Sequence, residues 1–181
     1  MKQSLLLTLI FTATILQSCD ERITPKIDVV EVEPPIPPVP PTSSTTTETL
    51  TAKSWQYNEV LLKGGGKSVA QFSRPTSIGL GSDFATTKVT YKKDGSHETE
   101  FKGSVDKGKW ELSKDEKQLT IIDPNGGRFA FDVLSITKTK LEISVTNKGN
   151  PNDADWVAKL RGLGLPENLT EYTVVFSFIP F

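Results

Sequence analysis

The sequence predicts an all-β domain, a small antiparallel up-and-down barrel of about eight strands with one short helix before the last strand. Two observations support this prediction. Short runs alternate apolar and polar side chains, and tight turns rich in glycine, proline and asparagine separate them. A tryptophan also recurs in two such runs, at Trp55 and Trp110. This succession of short strands is typical of closed antiparallel sheets.

The strands follow one another with loops of two to six residues over most of the domain. Because each strand would neighbour the next, closing the sheet removes its exposed edges. The Asp94-Gly95 pair is a signal for a tight hairpin. The predicted strands are residues 53–62, 68–72, 84–92, 96–101, 108–113, 118–123, 128–137 and 140–146, and residues 74–81 are predicted to be irregular and a place for a lid.

The alternating pattern changes after residue 147, where a short helix is expected. Asn152 or Asp153 would cap its start, and Gly162 would end it. An apolar strand over residues 171–179 then ends the chain. We expect it to pair with the first strand and to bury Phe176 and Phe178.

The amino-terminal part of the chain predicts a lipoprotein signal peptide over residues 1–18. Lys2 precedes an apolar run over residues 5–16, which is too short to anchor the chain across a bilayer. The run closes at Leu16-Gln17-Ser18-Cys19, which resembles the bacterial lipobox. Acylation of Cys19, with palmitate among its acyl chains, would tether the protein to a membrane by lipid.

Residues 19–49 are predicted to be the lipidated cysteine followed by a disordered linker rich in proline, serine and threonine. Six prolines fall within residues 33–41, and this composition favours an extended polyproline helix of roughly 28 Å. The linker would hold the barrel domain, residues 50–181, away from the membrane. A docking site for a proline-recognising partner is the alternative.

Composition narrows the function classes. The net charge is −1 without a basic block, which argues against nucleic acid as a partner. Cys19 is the single cysteine, so the domain has no disulfide. His97 is the single histidine, and neither a triad nor a zinc site can be built around it, so we expect it to be a solvated strand residue.

The sequence therefore predicts no catalytic residue, no metal and no cofactor, and hence no enzyme. One cation site stays open as an alternative. Asp153 and Asp155 carry oxygen ligands of the kind that calcium prefers, but the same residues suit the capping of a helix.

The aromatic residues on the alternating strands are the candidate ligand contacts. An eight-stranded barrel has an interior just wide enough to be filled by side chains or to hold one small ligand, so both alternatives are open. The candidate contacts are Trp55, Tyr57, Tyr91, Trp110, Phe129 and Phe131.

Several segments together resemble the lipocalin-like lipoproteins common in Bacteroidetes. The resemblance covers about residues 50–146 and implies a barrel of about eight strands behind a lipid anchor, without accepted catalytic residues. It also favours the outer membrane, on a face that stays undecided. The matching segments are Lys53-Ser54-Trp55, Tyr91-Lys92-Lys93-Asp94-Gly95-Ser96, Gly108-Lys109-Trp110-Glu111-Leu112, Gln118-Leu119-Thr120-Ile121 and Leu134-Ser135-Ile136-Thr137-Lys138-Thr139-Lys140-Leu141.

Two functional hypotheses follow. The first is a non-enzymatic lipoprotein, anchored in the cell envelope, whose lipocalin-like barrel binds a small hydrophobic ligand. The alternative is a filled barrel that acts as an interaction module or as an accessory subunit of an envelope complex, with its docking surface in residues 64–81 and 147–166.

Overall fold

The structure, a computed structural model, describes residues 45–74 and 81–181, with the backbone alone for residues 81–83. The predicted signal peptide, Cys19, most of the predicted linker and residues 75–80 lie outside the described residues. The described residues belong to one compact unit. Their elements are α1 (Thr45–Thr51), β1 (Ser54–Gly64), β2 (Lys67–Ser73), α2 (Gly81–Thr86), β3 (Lys88–Tyr91), β4 (Ser96–Phe101), β5 (Ser104–Leu112), β6 (Gln118–Ile122), β7 (Arg128–Ile136), β8 (Leu141–Lys148), α3 (Ala154–Gly162) and β9 (Glu171–Pro180).

Eight of these strands close into a barrel. From β3 to β9 each strand pairs with the next in antiparallel register. One edge of β1 pairs with β9 along almost its whole length, and the other edge pairs first with β3 and then with β2. The predicted antiparallel barrel of about eight strands, with one short helix before the last strand, is confirmed. None of the described helices is long and apolar enough to cross a lipid bilayer.

The packed unit begins earlier than the sequence predicts. Residues 45–49 were expected to belong to the linker, but they form the first part of α1, where Thr49 Oγ1 donates to the Thr45 carbonyl at 2.8 Å. Leu50, predicted to open the domain, lies inside this helix and is fully buried. Burial of Leu50 stabilises a helix that threonine-rich sequence alone does not favour.

The predicted strand over residues 84–92 is shorter in the structure. Its first residues belong to α2, and only Lys88–Tyr91 forms a strand. Phe84 packs edge-on against Tyr57, with 4.9 Å between ring centroids, and lies 5.8 Å from the ring of Phe72. These contacts with β1 and β2 outweigh the local preference of the segment for a strand.

The short helix before the last strand starts as predicted and ends slightly later. The Asp153 side chain accepts from the Asp155 amide at 2.9 Å, which confirms Asp153 as the cap. Gly162 was predicted to end the helix, but it is the last helical residue. The stop is made by Gly164, whose φ of 72° requires a residue without a β-carbon, and by the Leu165 amide, which donates to the Leu160 carbonyl at 3.0 Å.

The core forms two clusters, one toward each end of the barrel. We call the end where β1 begins the lower end and the end where β1 finishes the upper end. Tyr57 and Phe176 are partly buried and contact both clusters. The lower cluster consists of Leu50, Trp55, Val89, Tyr91, Trp110, Leu119, Leu141, Ile143 and Phe178, and the upper cluster of Val60, Leu62, Phe72, Trp156, Leu160, Leu165, Tyr172 and Val174.

Candidate functional site

The candidate site is the interior of the barrel, and five of the six predicted aromatic contacts meet there. Three of them are members of the lower cluster, namely Trp55, Tyr91 and Trp110. Tyr57 and Phe131 pack against this cluster from above. Phe129, near the start of β7, lies opposite Ile121 on β6, which itself packs against the lower cluster. The structure therefore brings five of the predicted residues together around the lower cluster.

The two tryptophans of the lower cluster are held by main-chain hydrogen bonds. Trp55 Nε1 donates to the Leu50 carbonyl at 2.9 Å, and Trp110 Nε1 donates to the Lys92 carbonyl at 2.9 Å. The ring of Tyr91 meets that of Trp110 edge-on at 5.8 Å. Because a buried indole N–H needs an acceptor, these bonds fix each ring in one orientation. The tryptophans form a rigid floor, and α1 closes the barrel below it through Leu50.

Above this floor the interior aromatic side chains are only partly buried. Tyr57 stacks at a tilt on Phe178, with 4.4 Å between centroids, and lies 6.2 Å from Phe176. Phe131 meets Phe176 edge-on at 6.0 Å. Tyr57, Phe131 and Phe176 all face the core clusters and yet keep part of their surface accessible. We call these three residues the middle aromatic group.

Sequence reasoning missed two residues of this region. The sequence predicts that Phe176 is buried, but in the structure it is partly buried and contacts both clusters. Its position on the strand that closes against β1 indicates the same interior. The sequence predicts Phe84 to lie in a strand, but it lies in α2. Its contact with Tyr57 depends on α2 folding back toward β1, and no local pattern in the sequence indicates that step.

Helix α3 covers the upper end along β1 and β9. The indole of Trp156 stacks on Tyr172 at 5.6 Å, and its Nε1 donates to the Leu169 carbonyl at 2.6 Å. Leu160, on the same helix, is fully buried. Asp153 serves this helix as its cap, and the part of the chain that the structure describes groups no three metal-ligating side chains.

His97 is buried, and the prediction of a solvated strand residue is wrong. Its side chain is 8% exposed and lies opposite Tyr91 on β3 and Gly108 on β5. The missing side chain of Gly108 makes room for the imidazole, since an added β-carbon would lie 2.5 Å from His97 Cε1. The rings of His97 and Tyr91 stack with 6.4 Å between centroids.

Burial shifts the titration of the polar groups around this pair. Burial lowers the pKa of His97, although the Gly108 carbonyl and the Asp106 carboxylate act in the opposite direction. Within the described part of the chain, no atom lies in hydrogen-bonding geometry with the enclosed Nδ1. Burial also raises the pKa of Tyr57 to about 12. The pKa of Tyr91 is raised by burial and, second, by the nearby phenol of Tyr57.

The outer surface has a shallow depression of about 130 Å³ beside β3, β4 and β5. Its charged side chains are already paired: Lys88 lies 2.5 Å from Glu100, and Lys92, beside the depression, lies 2.7 Å from Glu98. Pairing removes most of the attraction that these exposed groups would have for a charged ligand. The depression is lined by Ser54, Lys88, Thr90, Glu98, Glu100 and Val105.

Comparisons with known proteins give a likeness in structure but not in sequence family. No protein-family model matches the chain, and no curated protein matches it. Among solved structures, the chain is similar to a lipocalin-like protein from Bacteroides uniformis ATCC 8492. The two share 14% sequence identity, the match covers 74% of this chain and 99% of that chain, and the TM-score is 0.39.

Proposed function

We propose that the barrel is a non-enzymatic binding module that holds a small, mainly apolar molecule against the middle aromatic group. The observation that supports the proposal most directly is the partial exposure of Tyr57, Phe131 and Phe176, which face the interior of the barrel. Side chains of a fully packed core leave almost no accessible surface. Accessible aromatic surface inside a barrel is surface that an apolar ligand can cover.

Covering that surface would provide the binding energy. Burial of apolar surface contributes about 25 cal/mol per Å², and aromatic rings present large areas at a small cost in side-chain entropy. The sealed tryptophans below would serve as a fixed floor. A floor that does not rearrange reduces the ordering cost of binding.

A test on the full chain can separate a binding barrel from a filled one. The purified protein is titrated with N-phenyl-1-naphthylamine, a neutral apolar dye that becomes fluorescent in apolar surroundings, and a detergent blank is subtracted. We expect saturable binding of one dye molecule per chain. Replacing Phe131→Trp adds volume to the interior and should weaken dye binding about tenfold or more.

The matched control is Leu134→Trp on the same strand. Leu134 is 54% exposed, so the added ring points away from the core clusters and dye binding should not change. Both variants should unfold at temperatures near that of the wild type. Dye fluorescence that does not saturate, or that responds equally to both variants, would instead support the filled barrel as an interaction module.

We also propose that the protein is tethered to the outer membrane by lipid on Cys19. The support is the apolar run over residues 5–16 and the lipobox-like Leu16-Gln17-Ser18-Cys19. Fractionation of cells that express Cys19→Ala should recover the protein in the soluble fraction, whereas the wild type should sediment with membranes. A Cys19→Ala variant that still sediments would contradict the lipid tether.

A further inference from the structure

A group of polar side chains lies at the boundary between the floor and the middle aromatic group. His97 and Tyr91 lie opposite each other on neighbouring strands, with their rings stacked, and they are 8% and 3% exposed. Tyr57 belongs to the middle aromatic group and packs against the lower cluster, of which Tyr91 is a member. We call Tyr57, Tyr91 and His97 the polar trio.

The polar trio has hydrogen-bonding capacity that its surroundings do not use. The enclosed Nδ1 of His97 has no hydrogen-bond partner among the residues that the structure describes. The phenols of Tyr91 and Tyr57 lie around it, Tyr91 through its stacked ring and Tyr57 through its packing against the lower cluster. A buried polar group without a partner costs roughly 1–3 kcal/mol, so such groups in native proteins generally meet a partner such as water or a ligand.

The chemistry of the trio selects against a charged partner. The imidazole is kept neutral by its burial, and both phenols are neutral, so the trio carries no positive charge to balance a carboxylate. The charged group that acts on His97 is Asp106, which would repel an anion. Hydroxyl and carbonyl groups can use the same donors and acceptors without the large desolvation cost of an ion.

We propose that the polar trio binds one neutral hydroxyl or carbonyl group of the ligand, whose apolar remainder lies against the middle aromatic group. The ligand class is therefore an uncharged amphiphile, such as a long-chain alcohol, and not a fatty acid or a pure hydrocarbon. This inference rests on the proposed binding function and adds to it the orientation and charge of the ligand.

The test is displacement of bound N-phenyl-1-naphthylamine from the full chain by three probes of equal length: 1-decanol, decanoate and decane. We expect 1-decanol to displace the dye at the lowest concentration. Replacing Tyr91→Phe or Tyr57→Phe removes only a hydroxyl. Each change should weaken displacement by 1-decanol about three- to tenfold, the usual size for one hydrogen bond, and leave displacement by decane unchanged.

The matched control is Tyr172→Phe, which removes the hydroxyl of a buried tyrosine in the upper cluster. It should not change displacement by any probe. Two results would overturn the inference while the binding function stands: decanoate or decane displacing the dye as well as 1-decanol, or Tyr57→Phe and Tyr91→Phe both behaving like the control. If the dye does not bind saturably to the wild type, the proposed function itself fails.

Discussion

The lower and middle parts of the barrel interior use the same residue types differently. In the floor, Trp55 and Trp110 are buried, and each donates its indole N–H to a main-chain carbonyl. In the middle aromatic group, the rings touch one another edge-on or at a tilt and keep accessible surface. An aromatic residue inside a barrel is therefore not by itself a ligand contact. Its remaining exposure and its hydrogen bonds distinguish packing from binding.

The difference suggests how such a small barrel can combine stability with an adaptable interior. One end is closed by α1 and the Leu50 side chain, so the lower strands meet around a buried apolar core. The other end is covered along β1 and β9 by α3, whose Trp156 is held by the Leu169 carbonyl. The middle aromatic group lies between these two fixed ends and contacts both clusters through Tyr57 and Phe176.

The largest expected effect is a loss of stability, which should be greater for a change in the floor than for a change in the middle aromatic group. Trp55→Ala should lower the free energy of unfolding by about 3–5 kcal/mol, because it leaves a cavity and frees the Leu50 carbonyl. Phe131→Ala should cost clearly less, about 1–2 kcal/mol, because part of this side chain is already accessible. Urea denaturation measures both. Equal costs for the two variants would mean that the floor and the middle are packed alike.

The next effect tests the space that glycine leaves for His97. In Gly108→Ala the new β-carbon would lie 2.4 Å from the Ile122 carbonyl oxygen and 2.5 Å from His97 Cε1. Relief of these contacts should lower the free energy of unfolding, measured by urea denaturation, by about 1–3 kcal/mol.

The control is Gly162→Ala, where nothing lies within 4 Å of the added atom. There the better helix propensity of alanine should stabilise the protein by up to about 1 kcal/mol. A neutral Gly108→Ala would show that the imidazole does not occupy this space.

The smallest expected effect is the pH dependence that His97 confers on stability. Its pKa in the folded protein lies below the ordinary value of 6.5, so the unfolded chain binds the proton first as the pH falls. Stability should therefore be full above pH 6.5 and should decrease as the pH falls from there toward the lower pKa of the folded state. Urea denaturation at several pH values between 7.5 and 5 measures the decrease.

The control for this dependence is His97→Gln. Glu98 and Asp115 also have pKa values shifted by the fold, but both are lowered from ordinary values of 4.5 and 3.8, so the stability they contribute is lost only at more acidic pH. The variant should consequently lose the slope above pH 5 and keep the acid slope below it. If the stability of His97→Gln still depends on pH above pH 5, a titrating group other than His97 is responsible.

The sequence predicted the strand meander, the closing strand and a helix cap at Asn152 or Asp153, but it predicted the site only in part. Five of the six predicted aromatic residues do meet inside the barrel, because alternation along a strand determines which side chains share a face. Alternation does not reveal which end of a barrel a helix will close. It could not separate the sealed Trp55 from the partly accessible Tyr57, two positions further along the same face of β1.

By itself, the sequence determined the features that depend on neighbours within a few residues: the period-two strands, the turns between them and the start of α3. Tertiary structure alone decided the rest. Burial of Leu50 in the core stabilises a helix in a threonine-rich segment. Phe84 packs on Tyr57 from a helix, although the sequence predicts a strand there. His97 is buried, although the sequence predicts that it is solvated. Each outcome depends on a partner distant in the sequence. For His97 that partner is Gly108, whose missing side chain becomes space only when β4 and β5 pair.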